Sequence, residues 1–271
     1  MKRLDQVMVA RQLVSSRTIA VRHIQAGEVK VNGQPVTKPA TKIAADALIE
    51  LTASGPQYAS RAGHKLAGAL DSFSNVQVTG ARCLDAGAST GGFTDVLLQR
   101  GAREVIAVDV GHDQIVQRLR ADPRVDVREG VNVRYLALAD VGAPVDIVVS
   151  DLSFISLTLV LNALTTVSAP GAHLILMVKP QFEIGREHLP KTGVVSDPRQ
   201  RRAAVLGVIE AALTHGLRPR GLAASPLPGQ DGNKEFFLWA TQPETSAYRQ
   251  DTVNAAEWLD AQQVRWDDEL G

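Results

Sequence analysis

The chain has 271 residues, 45% hydrophobic and 21% charged, and its 29 basic and 29 acidic side chains balance to zero. That is the make-up of an ordinary globular protein, long enough for one large domain and one small one. No apolar run approaches the roughly 20 residues of a membrane span, no apolar segment with a cleavage site opens the chain, and the single Cys83 excludes an intrachain disulfide framework. A cytoplasmic protein with no membrane partner is expected, with Cys83 a buried, inert thiol.

The zero net charge hides an asymmetry. Residues 1–50 carry eight basic side chains (Lys2, Arg3, Arg11, Arg17, Arg22, Lys30, Lys38, Lys42) against four acidic ones, and the remainder carries the opposite excess. A basic head on a mildly acidic body points to a polyanion as the head's partner. Within this head, "RLDQVMVARQLV" (residues 3–14) has apolar residues near helical spacing. Ser15-Ser16 can cap a second helix, "RTIAVRHIQA", that Gly27 closes. In "EVKVNGQPV" the alternation of Val29 and Val31, the Asn-Gly pair and Val36 predict a hairpin.

These residues, "RLD" and "SSRTIAVRHIQAGEVKVNGQPVTKP", resemble the S4 RNA-binding module over residues 1–51. The resemblance implies that a helix pair and a hairpin present Arg3, Arg11, Arg17, Arg22, Lys30, Lys38 and Lys42 to structured RNA. No Phe, Tyr or Trp precedes Tyr58, so backbone and shape recognition is expected rather than base stacking.

"TASGPQYAS" (residues 52–60) reads as an interdomain linker, and a helix is expected in "RAGHKLAGALDSF". Strands at 82–85, 104–108, 124–128, 145–150 and 173–178 then alternate with helices at about 93–100, 112–121, 154–167 and 198–215. That alternation predicts an α/β domain over residues 61–243: a Rossmann-like, mostly parallel sheet covered on both faces. "RPRGLAASPLPG" and "EFFLWAT", joined through "QDGNK", suggest an antiparallel last strand. Residues 244–271 are polar and acidic, and are expected to form a tail or a peripheral helix.

The turn "DAGASTGGF" follows the first of these strands. A dinucleotide loop wants G-x-G-x-x-G at a helix start, whereas this one offers Gly87, Gly91 and Gly92 behind Asp85. A carboxylate there repels a pyrophosphate and suits a cation. Asp109, 22 residues beyond Gly87, ends the second strand, where it can accept from both hydroxyls of a ribose. S-adenosylmethionine, a phosphate-free sulfonium, is the favoured cofactor, with Asp85, Gly87, Ser89, Thr90, Gly91, Gly92, Phe93, Asp109 and Asp151 around it.

Four further residues stand out, three of them at strand ends. Asp151 closes "DIVVSD", Lys179 closes "LILMVK", Glu235 opens "EFFLWAT", and Lys65 lies in the helix before the first strand. In an open parallel sheet, ligands gather at the carboxyl ends of the strands. This set, with "SDLSFIS", "VKPQFE" and "GNKEFFLW", resembles the FtsJ-like RNA ribose 2′-O-methyltransferases, in which a Lys-Asp-Lys-Glu tetrad performs the reaction. Together with the S4-like head, "SRAGHKL" and "ASPLPGQDGNKEF" resemble the TlyA family of rRNA 2′-O-methyltransferases, some of them named haemolysins. The resemblance spans roughly residues 3–241. It implies methylation of a cytidine ribose in 16S or 23S rRNA, with ribosomal RNA or ribosomal subunits as partner, and it sets Asn132 near the adenine.

The chemistry fits the residue types. A ribose hydroxyl is a poor nucleophile, so its proton must leave as the oxygen attacks. Lys179, crowded by the charge of Lys65, is expected to act as base or to stabilise the alkoxide, with Asp151 and Glu235 orienting the lysines. No metal is expected: six scattered histidines and one cysteine show no zinc spacing. Two alternatives stay open: a non-catalytic ribosome-assembly factor with this fold, and, less favoured, a membrane-lytic protein. Oligomeric state is not legible, and a monomer suffices.

Overall fold

A computed structural model describes all residues except 1, 12, 15, 26, 45, 52–57, 245–252 and 268–271, together with all their side chains but that of Arg22. Contacts divide the chain into two units, Met1–Gln57 and Tyr58–Gly271.

The first unit contains β1 (Lys2–Arg3), α1 (Leu4–Ala10), α2 (Arg17–Gln25), β2 (Val29–Val31), β3 (Gln34–Pro35), β4 (Lys42–Ile43) and β5 (Ile49–Leu51). The Ser16 hydroxyl accepts from the Ile19 amide at the start of α2, and Gly27, at φ +72°, closes it. Asn32 and Gly33 both have positive φ, the requirement of a two-residue type I′ hairpin turn, and β2 pairs antiparallel with β3 and β5. Leu4, Met8, Ala20, Ile24, Val29 and Ile49 form the small core. Asp5 sits inside it with its side chain fully buried, ion-paired to Arg3 and Arg17. The Arg3 guanidinium, then that of Arg17, holds its carboxyl down at about 2.

In the second unit a seven-stranded sheet has the order β11-β12-β10-β9-β6-β7-β8. Its strands are β6 (Arg82–Ala86), β7 (Glu104–Asp109), β8 (Val125–Glu129), β9 (Val145–Ser150), β10 (Ser168–Val178), β11 (Arg218–Ala224) and β12 (Phe236–Thr241). The helices are α3 (Ala62–Ser72), α4 (Gly92–Gln99), α5 (Gln117–Arg120), α6 (Leu138–Val141), α7 (Leu161–Val167), α8 (Pro180–Glu183), α9 (Pro198–Thr214) and α10 (Ala255–Asp260). Each central strand is buried on both faces. Leu84, Ile106, Val148, Leu174 and Leu176 feed one apolar layer, while their neighbours Cys83, Val105, Ile147, Ile175 and Met177 feed the other. This period-two split is what a sheet sandwiched by helices requires. Burial pushes the Cys83 thiol up to about 12, which keeps it inert at neutral pH.

Three expectations need correction. The helix expected at 112–121 shrinks to α5, because Asp113 has φ +56° and Val116 is extended. The stretch 154–167 is helical only from Leu157: Phe154 has φ +64°, a short 3₁₀ turn spans Leu157–Leu159, and α7 follows. Residues 52–57 of the expected linker lie outside the described residues, but Tyr58–Ser60 belong to the second unit. There the Tyr58 ring meets His64 edge-on and the Ala59 amide donates to Asp95. The polar C-terminal stretch, expected as a tail or a peripheral helix, forms the helix α10 where it is described. Ala255 and Leu259 of α10 are buried, and the Trp266 ring lies 5.0 Å from Phe236. Arg201, 1% exposed, donates to the carbonyls of Val195 and Trp266 and so ties this segment to the loop before α9.

No helix among the described residues is long and apolar enough to cross a membrane.

Two tests follow from these packings. Asp5 has a folded pKa below its unfolded value, so its stabilisation is complete above about pH 4 and is lost as pH falls towards 2. Acid unfolding of the N-terminal unit, followed by circular dichroism, should therefore flatten between these pH values in Asp5→Asn, which starts from a lower stability. Replacing Arg201 by Ala strands the buried Val195 carbonyl, frees the half-buried Trp266 carbonyl and should lower stability in urea by about 2–4 kcal/mol.

Candidate active site

The sheet brings the strand-end residues together by register. β9 and β10 run parallel with Ser150 opposite Leu176, so Asp151 and Lys179 leave the same edge. β12 runs antiparallel to β10 with Val178 opposite Phe236, which sets Glu235, just before β12, beside Lys179. β6 and β9 are neighbours with Ala86 opposite Ser150, so Gly87 begins its turn next to Asp151. The chain order reverses between β6 and β9, and crevices of open α/β sheets form at such a switch point.

All four tetrad residues line one cavity of about 960 Å³. They form two ion pairs. Lys65 Nζ donates to Glu235 Oε2 at 2.6 Å, with the two residues 6% and 3% exposed. Lys179 Nζ lies 2.7 Å from Asp151 Oδ1 and donates a hydrogen bond to Ser153 Oγ at 2.9 Å. The Lys179–Asp151 contact is close but lacks hydrogen-bond geometry, so Asp151 Oδ1 retains unused acceptor capacity. Buried lysines are stable only when paired in this way. Three exposed arginines, Arg61, Arg134 and Arg186, stand on the wall of the same cavity.

A second, smaller cavity of about 160 Å³ lies over the glycine turn, walled by Gly87, Ala88, Ser89, Thr90, Gly92 and Phe93. Ala62, Asp151, Ser153 and Lys179 line both spaces, so a ligand on the turn and a ligand on the tetrad would meet at these four residues. The turn needs its glycines. A Cβ on Gly87 would come within 3.0 Å of the Asp151 carbonyl, and one on Gly91 (φ +93°) within 2.4 Å of Leu119 Cδ1. On Gly92 it would stand 2.3 Å from Ser60 Oγ.

The carboxylates around the turn fit a cationic, phosphate-free nucleoside. Asp85 is fully buried and pushed up to about 7 by its burial; its Oδ2 accepts from the Thr94 amide and hydroxyl, while its Oδ1 has no partner among the described residues. It fixes the start of α4 and is not among the residues that wall the small cavity. Asp109 accepts from the Ser89 amide at 2.8 Å and the Gly111 amide at 2.7 Å, which brings the end of β7 to the turn. An ionised carboxylate has about four acceptor sites, so capacity remains for ribose hydroxyls.

Two other sequence candidates differ in their placement. Phe93 walls the small cavity and, 2% exposed, also packs against Phe237 in the core. Asn132 is exposed and caps the 3₁₀ turn Val133–Tyr135 by accepting from the Arg134 amide; it lines neither cavity.

In the N-terminal unit the basic side chains are unequal. Arg3 and Arg17 are held by Asp5, so the trio carries a net charge of only +1. Arg11 donates to the Ala47 carbonyl, Lys38 and Lys42 are exposed, and Lys30 is half-buried. The Arg22 side chain lies outside the described ones.

Sequence reasoning does not single out Phe154. It is 91% exposed, has φ +64°, lines the larger cavity and stands 5.3 Å from the Phe182 ring. A bulky residue held in that conformation is uncommon and strained. The serine-flanked motif carries no signal of it, because the strain is a property of the folded loop.

The glycine turn yields a direct test. Gly91→Ala combines backbone strain with a clash and should cost about 1–3 kcal/mol, with loss of S-adenosylmethionine binding by calorimetry. Gly216→Ala, at φ +81° in open space, should carry only the strain and leave that binding intact.

Comparison with known proteins agrees with this geometry. Residues 58–242 match the FtsJ-like methyltransferase family and residues 2–49 match the S4 domain. The chain is 49% identical over 238 residues, 88% of each protein, to a 16S/23S rRNA (cytidine-2′-O)-methyltransferase, TlyA, of Mycobacterium tuberculosis. It is 37% identical to Hemolysin A of Brachyspira hyodysenteriae, over 87% of this chain and 98% of that one. Among solved structures, a Streptococcus thermophilus protein provisionally named a hemolysin superposes with a TM-score of 0.70 at 35% identity, covering 96% and 97% of the two chains. The chain therefore belongs to the FtsJ-like methyltransferase family and carries an S4 domain ahead of its methyltransferase fold.

Proposed function

We propose that this protein transfers the methyl group of S-adenosylmethionine to the 2′-oxygen of a cytidine in ribosomal RNA. The reading rests on one observation above others: two lysine–carboxylate pairs face a cavity that shares Asp151, Ser153 and Lys179 with the glycine turn. The name of the Mycobacterium tuberculosis relative supplies the nucleotide and the class of RNA. Activity in the cytoplasm, where ribosomes are, goes with the reading.

The backbone of Gly87, Ser89, Thr90, Gly91 and Gly92 would hold the cofactor, with Asp109 taking its ribose and Asp151 its cationic end. When bound, S-adenosylmethionine supplies an electrophilic methyl group on a sulfonium. Lys179, with its Nζ fixed by Ser153 and Asp151, receives the proton of the ribose hydroxyl in its amine form or steadies the growing charge on that oxygen. Lys65, anchored by Glu235 across the same cavity, adds a second positive charge facing the alkoxide. Placing the hydroxyl in line with the methyl group supplies much of the remaining acceleration. Phe154 and Phe182 offer an aromatic ledge against which the base can rest, and Arg61, Arg134 and Arg186 face the flanking phosphates. In the N-terminal unit, Lys30, Lys38, Lys42 and Arg11 are the basic groups best placed for RNA, with Arg3 and Arg17 steered by Asp5, and Arg22 completes the proposed set.

The test incubates purified protein with tritiated S-adenosylmethionine and isolated ribosomal subunits or rRNA, and maps the label by resistance to alkaline cleavage. Label at a ribose 2′-oxygen is expected, with a loss of about 10²–10⁴-fold in rate for Lys179→Ala and an RNA affinity near that of wild type. Label on a base would overturn the 2′-hydroxyl chemistry and keep the methyltransferase. Cofactor binding without label on any RNA would instead favour an assembly factor.

A further inference from the structure

Glu183 is a half-buried carboxylate near the site that the reaction does not use. It follows Lys179 by four residues, at the end of α8, and walls a separate cavity of about 430 Å³ rather than the tetrad cavity. Both of its oxygens are occupied. Oε1 accepts from the Leu157 amide at 2.9 Å, and Oε2 accepts from the Ser156 hydroxyl at 2.5 Å. Burial pushes its carboxyl up from the ordinary value, and the two donors oppose that rise.

Ser156 and Leu157 close the loop that begins at Asp151. Within this loop Ser153 receives the Lys179 hydrogen bond, and Phe154 holds its left-handed conformation with its ring exposed beside Phe182. The contacts form a ring: from Lys179 through α8 to Glu183, across to Ser156 and Leu157, and back along the loop to Ser153 and Lys179. A loop with a strained residue at its centre relaxes unless both ends are held. One end is held by β9; at the other, Glu183 adds its two hydrogen bonds to the one that the Ser156 hydroxyl accepts from the Thr158 amide.

We propose that Glu183 is a positioning residue: by clamping Ser156 and Leu157 it fixes the Asp151–Ile155 loop so that Ser153 meets Lys179 and Phe154 stays over the cavity. This role deepens the 2′-O-methyltransferase reading and rests on it for its catalytic consequence. The physical reason for a carboxylate is its capacity to accept from an amide and a hydroxyl at once. A glutamine can keep both contacts, since its oxygen accepts from Leu157 while its amide nitrogen donates to Ser156, which can accept.

The experiment compares wild type, Glu183→Ala, Glu183→Gln, Ser153→Ala and the Glu183→Ala/Ser153→Ala double variant. Hydrogen exchange of residues 151–157, read by mass spectrometry, should accelerate by about tenfold or more in Glu183→Ala and stay near wild type in Glu183→Gln. Single-turnover methyl transfer should fall by about 10- to 100-fold in Glu183→Ala, with the S-adenosylmethionine Kd within twofold and activity rescued in Glu183→Gln. The effects of Glu183→Ala and Ser153→Ala should be strongly non-additive. Unchanged exchange in this loop overturns the proposal, whatever the activity. So does an activity loss that tracks only a lowered melting temperature, or single effects that multiply in the double variant. Should wild type transfer no methyl to a ribose while the exchange result holds, the functional reading fails and the clamp stands.

Discussion

The antiparallel pairing of β12 with β10 is the contact on which the site depends. It is the only arrangement of these two strands that puts the start of one beside the end of the other, and with it Glu235 beside Lys179. A parallel β12 would send Glu235 to the opposite edge, away from Lys65 and from the glycine turn. The same pairing buries Phe236 and Phe237 on opposite faces of the sheet, so the strand is held by both apolar layers. Trp266 backs Phe236 from the C-terminal segment. The position of Glu235 is thus fixed by packing on three sides rather than by its own ion pair.

Electrostatics then selects what can occupy the edge. Two lysines and two carboxylates, mostly withdrawn from water, cost desolvation free energy that their mutual attraction only partly returns. Pairs of this kind are poor devices for stability and good ones for orientation, because each nitrogen has one favourable place to stand. Lys179 illustrates this with its ion pair to Asp151 and its hydrogen bond to Ser153. The glycine turn follows the opposite logic. It removes side chains so that backbone and carboxylates can approach a ligand, and the missing volumes are measured by the contacts that added Cβ atoms would make.

Asp5 in the N-terminal unit resembles the tetrad in kind, as a buried carboxylate that orders cations around it. It converts two of the unit's arginines into groups of defined direction and lowers their combined charge. Counting basic residues along the chain therefore overstates the charge that this unit offers to a polyanion. The burial of that single acid is not advertised by the local sequence.

Much was legible in the sequence because it depends on short-range periodicity and on strand ends. Two-faced apolar strands, the Asn-Gly hairpin, the glycine turn and the placement of three tetrad residues at strand termini all follow from patterns a few residues long. Tertiary structure alone decided the rest. It turned the first residues of the expected helix at 154–167 into a loop with Phe154 in a strained conformation, since helical periodicity cannot register a backbone amide held by a carboxylate 26 residues away in sequence. It paired Asp85 with Thr94 at the start of α4 and made Asn132 the cap of a 3₁₀ turn. It also folded the acidic C-terminal stretch against the sheet through Arg201. Residue type and order specified the chemistry this chain carries, while long-range contacts decided which side chains reach it, because burial and hydrogen-bond partners exist only once distant segments have met.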